Sequence, residues 1–113
     1  MTQENTWTPL ARIGDIPLNE GRAISIGGRE VAVFHLDNCF LTIDNRCPHK
    51  GGPLCDGIVA GAVVVCPLHG RRFDLETGAA VRVSEAVCVA TYATRVEAGV
   101  VLADLNNARR VMD

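Results

Sequence analysis

Cys47-Pro48-His49-Lys50-Gly51-Gly52 is the stretch around which the rest of this chain is organised, and its counterpart is Cys66-Pro67-Leu68-His69-Gly70. Each stretch offers one thiol and one imidazole within a few residues of each other. In both, Pro restricts φ between the two potential ligands and Gly lets the chain turn back tightly. The pattern predicts two short loops that together supply four candidate metal ligands, namely Cys47, His49, Cys66 and His69.

Two kinds of metal centre use this set of ligands. A [2Fe–2S] cluster takes two Cys and two His when His replaces Cys on one of its irons. Thiolates stabilise the ferric state, whereas neutral imidazoles donate less charge, so the iron held by imidazoles accepts the electron. Zinc accepts the same ligands, but its pairs usually run Cys-x₂₋₄-Cys and His-x₃₋₅-His, whereas each loop here mixes the two types. The mixed loops favour the iron–sulfur cluster, and a chance grouping of solvated His and buried Cys is the least favoured interpretation.

The composition predicts a single all-β domain. The chain has 113 residues, of which 48% are hydrophobic but only 4% are aromatic. A core built from Val, Ile, Leu and Ala favours strands, because β-branched side chains pack well on a pleated surface. A chain of this length has room for one modest core, so we expect one domain over residues 1–113.

Charge and hydropathy exclude several classes of partner. The net charge of −2 is too small to indicate a polyanionic partner, and no basic stripe with interleaved aromatic residues suggests nucleic acid. No apolar run approaches the length of a membrane span. The first residues, Met1-Thr2-Gln3-Glu4-Asn5, lack the basic and apolar regions of a signal peptide. We therefore expect a soluble cytoplasmic protein with neither a membrane nor a nucleic acid as its partner.

Apolar runs predict strands on both sides of the first loop. Residues 22–26 and 29–34 flank Gly27-Gly28 and predict a hairpin with a primed turn, because both turn residues tolerate positive φ. A third strand over residues 39–43 leads directly into the first loop and completes an antiparallel meander. The apolar run at residues 62–65 predicts a buried strand that presents the first Cys of the second loop at its tip.

The two ends of the chain are also expected to contain strands. Trp7-Thr8-Pro9-Leu10 predicts a first strand, with Trp7 as a large core anchor. Residues 87–96 predict a strand that pairs with residues 100–105 across a turn at residues 97–99. Residues 106–113 are polar and are expected either to fray or to form a helical turn.

Three cysteines and one histidine remain outside the loops. Cys39, Cys55 and Cys88 are an odd number, which does not suit a disulfide framework. The simplest interpretation is that they are free thiols packed as small hydrophobic side chains. His35 lies in the hairpin strand and is expected to be a structural or surface residue.

The spacing Cys-x-His, sixteen residues, Cys-x-x-His resembles the signature of Rieske iron–sulfur proteins, and residues 40–78 resemble Rieske ferredoxins. The resemblance implies a Rieske-type antiparallel β-sandwich or barrel base with a small cluster-binding lobe over about residues 44–75. It also implies one [2Fe–2S] cluster per chain. By this resemblance Cys47 and Cys66 would bind the inner iron, and His49 and His69 would bind the outer one.

Within this family, residues 47–54, 57–59 and 66–69 look most like the small subunit of the assimilatory NAD(P)H-dependent nitrite reductase. That likeness implies an oxidoreductase component for nitrate assimilation. Its partner would be a large subunit that binds NAD(P)H, FAD and siroheme and reduces nitrite to ammonia. A single one-electron centre cannot perform this reaction alone, and the chain shows no dinucleotide fingerprint. We therefore expect no catalytic residues in this chain.

Two other functions remain open. Ferredoxins of aromatic-ring-hydroxylating dioxygenases carry similar motifs around residues 72–78 and 96–101. These motifs imply, as the alternative, a free-standing ferredoxin that carries electrons from a ferredoxin reductase to an oxygenase. The third possibility is a zinc module that binds a protein partner. The loops alone do not separate the first two functions, because those differ in partner rather than in cofactor.

Features around the loops depart from the pattern of some relatives. Respiratory-complex Rieske proteins carry an extra Cys in each loop and join the loops by a disulfide, but Gly52 and Leu68 occupy those places here. Residues 81–86, the equivalent of a Pro-containing loop that covers the cluster in many relatives, contain no Pro. Four cations beside the ligands either keep the loops solvated or dock a partner with an acidic rim; they are Arg46, Lys50, Arg71 and Arg72.

Overall fold

The protein is built from antiparallel β-strands. A computed structural model describes residues 7–48, 51–68, 70–81 and 87–110. In these ranges every strand pairing is antiparallel, which confirms the expected all-β class. The strands are β1 (Trp7–Arg12), β2 (Gly21–Ile26), β3 (Arg29–His35), β4 (Phe40–Asp44), β5 (Ile58–Ala60), β6 (Val63–Val65), β7 (Arg72–Asp74), β8 (Thr91–Tyr92), β9 (Thr94–Glu97) and β10 (Val100–Asp104). Two short 3₁₀ turns, Ile13–Asp15 and Leu54–Asp56, are the helical elements of the described ranges, where no helix could cross a membrane.

β3 lies at the centre of the fold. The largest sheet has the order β2-β3-β4-β8, and a second sheet has the order β1-β10-β9. Residues 31–34 of β3 are all buried because both faces of this strand are covered. On one face, Val31 and Val33 pack into clusters that contain Ala103 and Val101 of β10. The opposite face packs against the elements that carry the two Cys-His loops.

The first hairpin and the meander form as predicted. β2 and β3 pair from Gly21↔Phe34 to Ile26↔Arg29. Gly27 and Gly28 have φ angles of 58° and 79°, which are the left-handed values that a primed turn requires. β4 pairs with β3 as the third strand.

The strand predicted over residues 87–96 is wrong as a single element. The structure has two short strands, β8 and β9, separated by Ala93. β8 pairs with β4 in the large sheet, whereas β9 pairs with β10 in the second sheet. The chain therefore passes from one sheet to the other at Ala93, which one straight strand cannot do. The predicted turn between β9 and β10 is confirmed by the pairing Val100↔Glu97.

Both ends of the described chain differ from expectation. Trp7 lies in a strand, as predicted, but it is only half-buried, and the guanidinium of Arg95 lies 4.3 Å from the centre of its ring. It is not a core anchor, because β1 is an edge strand. Near the other end, Arg109 exchanges two backbone hydrogen bonds with Thr91, at 2.8 and 2.9 Å. Within residues 106–110 this extended pairing replaces the frayed or helical segment that the sequence predicts, and residues 111–113 lie outside the described residues.

A small third sheet, β5-β6-β7, carries the second loop. Val64 of β6 pairs with Phe73 of β7, and both side chains are 0% exposed. They belong to the same core cluster as Ala32 and Phe34 of β3. The small sheet thus packs its inner face against the base through the free face of β3.

Candidate metal centre

The first loop joins β4 to the 3₁₀ turn that follows it. Arg46 and Pro53 form an isolated antiparallel bridge that closes the base of the loop. The Cys47 N–H donates to the Gly52 carbonyl at 2.8 Å, and the Gly51 N–H donates to the Cys47 carbonyl at 2.7 Å. Gly51 has a φ of 76°, so glycine supplies the left-handed conformation with which the chain turns back.

The second loop joins β6 to β7 and has the same backbone hydrogen bonds. The Cys66 N–H donates to the Arg71 carbonyl at 2.7 Å, and the Gly70 N–H donates to the Cys66 carbonyl at 3.0 Å. In each loop the donor lies four residues after the Cys and the acceptor lies five residues after it. The loops are therefore structural counterparts, although their His residues stand at different spacings in the sequence.

The two loops meet at Gly52. A Cβ on this residue would lie 2.8 Å from Leu68 Cγ and 3.2 Å from Cys66 Sγ, both in the other loop. A side chain at Gly52 would therefore push the loops apart. Cys47 and Cys66 are each 2% exposed and belong to one buried cluster. The structure thus brings the two predicted thiol ligands together, whereas His49 and His69 lie outside the described residues.

The surroundings of these thiols fit an iron–sulfur cluster. Iron–sulfur clusters are held by Cys thiolates, and both thiols lie at the inner ends of their loops, in a cluster that includes Leu54 and Val64. The described outer residues of the loops are open to solvent, since Pro48 and Pro67 are exposed and Leu68 is 54% exposed. A group held here would have a buried inner side and an outer side that a partner can approach.

Cationic side chains lie beside the loops, as the sequence indicates. Arg46 and Arg72 are exposed, and Arg71 is half-buried. Lys50 lies outside the described residues. Arg46 lines a surface cavity together with Cys47 and Pro48, so its charge lies at the edge of the first loop.

Cys55 and Cys39 stand apart from the two buried thiols. Burial raises the pKa of the Cys55 thiol, and the charge of Asp56 raises it further. A raised pKa disfavours the thiolate form of this thiol. Cys55 packs against the core as a small hydrophobic side chain, but Cys39 is exposed, contrary to the prediction. Cys88 is half-buried and lines the same surface cavity as Cys47.

His35 has a structural role, as expected. Its Nδ1 lies 2.8 Å from the Ile16 carbonyl oxygen, and its ring stacks on Phe40 with a centroid distance of 4.2 Å. These contacts hold the segment before β2 against the end of β3.

A polar pair beside the first loop has no local signal in the sequence. The Tyr92 hydroxyl donates to Asp44 Oδ1 at 2.6 Å, although the two residues are 48 apart in the chain. Asp44 is the last residue of β4, and its Oδ2 also lies 3.7 Å from Arg110 Nη2. Burial raises the pKa of Tyr92 to about 12, and the hydrogen bond to Asp44 and the charge of Asp44 contribute to the rise.

We expect the ionisation of Tyr92 to be displaced strongly toward high pH. The chain has one Tyr, so ultraviolet difference absorbance follows this hydroxyl alone. The midpoint should lie near pH 12 in the wild type. It should fall part of the way toward the ordinary value of about 10 in Asp44→Asn, because the carboxylate is removed while the burial remains.

The same shift makes stability depend on pH in the alkaline range. The unfolded chain loses the Tyr92 proton near pH 10, whereas the folded chain keeps it until about pH 12. The contribution of Tyr92 to stability is therefore complete below pH 10 and is lost as the pH rises toward 12. A wild-type midpoint near 10, or a midpoint that Asp44→Asn leaves unchanged, would contradict this assignment.

Comparison with known proteins identifies the domain. A family model described as a Rieske-like [2Fe–2S] domain matches residues 6–104. The matched range contains both loops and all ten strands, from β1 to β10.

Relatives with this fold include both dioxygenase ferredoxins and nitrite reductase small subunits. The ferredoxin component of naphthalene 1,2-dioxygenase/salicylate 5-hydroxylase systems from Ralstonia sp is 32% identical over 97 residues, or 86% of this chain and 91% of the relative. The solved ferredoxin of Sphingomonas yanoikuyae B1 is 31% identical, with a TM-score of 0.79 over 86% of this chain and 96% of that one. A structure described as the small subunit of an NADPH nitrite reductase has the same TM-score, 0.79, at 26% identity over 88% and 98% of the two chains. This ferredoxin and this nitrite reductase subunit therefore match the fold with the same TM-score.

Proposed function

The chain belongs to the family of Rieske-like [2Fe–2S] domains, and from this premise we propose that it is a ferredoxin that delivers electrons to an aromatic-ring-hydroxylating oxygenase. Membership means that it holds one [2Fe–2S] cluster and transfers electrons. The pair of buried thiols, Cys47 and Cys66, held in two loops with the same backbone hydrogen bonds, carries the assignment of the cluster. The similarity in sequence to a dioxygenase ferredoxin carries the choice of partner.

The proposed ligands are the four residues that the sequence singles out. Cys47 and Cys66 would hold the inner iron, and His49 and His69 would hold the outer one. When bound, such a cluster takes up and releases one electron at a time. The chain contributes two closed loops that fix the thiols and keep water from them, and exposed outer residues that let a partner approach.

The proposed domain covers residues 1–113, with residues 44–75 as the cluster-binding lobe. We place the protein in the cytoplasm, because its five cysteines, all of them within the described residues, form no disulfide. Thiols persist in reducing compartments, whereas disulfides are typical of oxidising ones.

Similarity in sequence supports an oxygenase rather than a nitrite reductase as the partner. The sequence motifs alone favour the nitrite reductase small subunit, with the ferredoxin as the alternative. The ferredoxin component of naphthalene 1,2-dioxygenase/salicylate 5-hydroxylase systems, however, is 32% identical to this chain, against 26% and 29% for two nitrite reductase small subunits. We therefore reverse the order and keep the nitrite reductase small subunit as the second candidate, supported by its TM-score of 0.79.

The partner is proposed to carry an acidic rim around its redox site. The exposed guanidinium groups of Arg46 and Arg72 lie at the start of the first loop and just after the second loop. Complementary charges of this kind raise the rate of association, and salt weakens the effect.

The proposed partner can be tested by purification and by kinetics. The tagged chain would be recovered from its native host, and the absorption spectrum of the co-purifying protein would be recorded. Recovery of a non-haem iron oxygenase, or of a separate flavin reductase without siroheme, supports the ferredoxin assignment. The kinetic condition is that the oxygenase reoxidises the reduced chain when the two are mixed. A large partner with both siroheme and flavin bands would instead establish the nitrite reductase assignment.

A further inference from the structure

Asn45 occupies an unusual place between the base and the first loop. It follows β4 directly, lies two residues before Cys47 and is only 3% exposed. Its side chain makes hydrogen bonds in two directions. Oδ1 accepts from the Cys55 backbone N–H at 2.7 Å, and Nδ2 donates to Glu30 Oε1 at 3.0 Å.

The backbone of Asn45 also makes hydrogen bonds to β3 and to the 3₁₀ turn. Its N–H donates to the Glu30 carbonyl at 3.2 Å, and its carbonyl accepts from the Leu54 N–H at 2.8 Å. Glu30 belongs to β3 in the base, whereas Leu54 and Cys55 begin the 3₁₀ turn that follows the first loop. Four hydrogen bonds from one residue therefore join both ends of the loop to the central strand.

We propose that Asn45 is a positioning residue that fixes the first loop, and with it Cys47, on the base of the domain. This inference rests on the ligand role proposed for Cys47. The first loop must be held in place because it fits closely against the second loop. A Cβ on Gly52 would lie only 3.2 Å from Cys66 Sγ, so any shift of the first loop alters its fit against the second.

Asn is matched to this position by chemistry and by length. The two hydrogen bonds of its side chain require one acceptor and one donor on a short side chain, which an amide supplies. Asp could accept from the Cys55 N–H, but its second oxygen would face the carboxylate of Glu30. Leu has nearly the same shape but would leave the Cys55 N–H without this acceptor.

The first test compares Asn45→Leu with Thr42→Val. Thr42 is 1% exposed, lies in β4, the strand that precedes Asn45, and accepts a hydrogen bond from the Thr94 hydroxyl at 2.9 Å. Cluster release to a chelator would be followed by visible absorbance. We expect release to be about 10- to 100-fold faster in Asn45→Leu, because residues that orient metal ligands typically contribute that much affinity. Thr42→Val should release its cluster at close to the wild-type rate.

A second series of variants exchanges donor and acceptor in the hydrogen bond between the side chains of Asn45 and Glu30. Asn45→Asp should accelerate release, because two carboxylates then face each other, and Glu30→Gln alone should change little. The double variant Asn45→Asp/Glu30→Gln should restore slow release, since the amide at position 30 can donate to the carboxylate at position 45. The electron paramagnetic resonance spectrum of the reduced cluster should shift in Asn45→Asp and return in the double variant.

Several outcomes would overturn the proposal. Wild-type release and an unchanged spectrum in Asn45→Leu would do so, as would equal acceleration in Thr42→Val. If Asn45→Leu does not fold, the polarity series decides, and failure of the double variant to recover would count against the proposal. A Cys47→Ala variant that keeps a normal cluster would instead refute the proposed ligand, and this result is separate from any result at Asn45.

Discussion

Replacement of Cys66 by Ala is expected to abolish the visible absorption of the purified protein and to reduce bound iron and sulfide to background. Cys66 is 2% exposed and lies in the same buried cluster as Cys47, so solvent has little access to replace its thiol. Alanine cannot ligate iron, and the inner iron would retain a single protein thiolate. Iron and acid-labile sulfide per chain, measured together with the absorption spectrum, check this expectation.

Cys55→Ala provides the matched control. Cys55 is also partly packed against the core, but it lies outside both loops and its Sγ donates to Asp56 Oδ1 at 3.7 Å, and we assign it no ligand role. Cys55→Ala should therefore retain the full cluster. A normal cluster in Cys66→Ala, or a cluster lost equally from both variants, would refute the proposed ligand set.

Gly78→Ala is expected to destabilise the fold strongly. Gly78 has a φ of 82°, and a Cβ at this position would lie 2.0 Å from the Val89 carbonyl oxygen. That oxygen belongs to the backbone, so rotation of a side chain cannot relieve the clash. Backbone strain and overpacking together should lower the free energy of unfolding by about 2–6 kcal/mol, a large part of the total stability of a small domain.

Gly99→Ala separates the two contributions to this effect. Gly99 has a φ of 78°, close to that of Gly78, but an added Cβ would meet no atom within 4 Å. Gly99→Ala should therefore lower the free energy of unfolding only by the cost of the left-handed backbone conformation, about 1–2 kcal/mol. Urea denaturation followed by circular dichroism compares the variants. Equal midpoints for Gly78→Ala and Gly99→Ala would show that the contact with Val89 does not restrict this position.

Features that depend on local sequence were predictable. The Gly27-Gly28 turn, the meander through β4 and the two Cys-containing loops each follow from short patterns in which Gly or Pro sets the backbone angles. The same is true of the hairpin between β9 and β10. In each of these elements, the residues that determine the conformation are neighbours in the chain.

Features that depend on distant contacts were not predictable in this way. The break at Ala93 arises because β8 and β9 belong to different sheets, and the apolar run at residues 87–96 contains no mark of that change. The bonds from Asn45 to Glu30 and to Cys55 join residues 15 and 10 apart in the chain. An Asn two residues before a candidate ligand is at most a weak signal of such a role.

The residues of the site also do not indicate which redox partner the chain has. The loops that hold a Rieske cluster do not separate an oxygenase ferredoxin from a nitrite reductase subunit, and one ferredoxin and one nitrite reductase subunit share a TM-score of 0.79 with this chain. The discriminating information lies in overall sequence identity, which supports the ferredoxin over the assignment that the loop motifs favour.

Two thiolates and two imidazoles of this chain are proposed to hold one [2Fe–2S] cluster. Electron–nuclear double resonance on the reduced protein, labelled with ¹⁵N-histidine, counts the imidazole ligands. The chain has three His, and His35 is bound to the Ile16 carbonyl and stacked on Phe40. We predict strong couplings from two histidine nitrogens, both retained in His35→Gln. Fewer than two strong couplings, or the loss of one in His35→Gln, would contradict the ligand set.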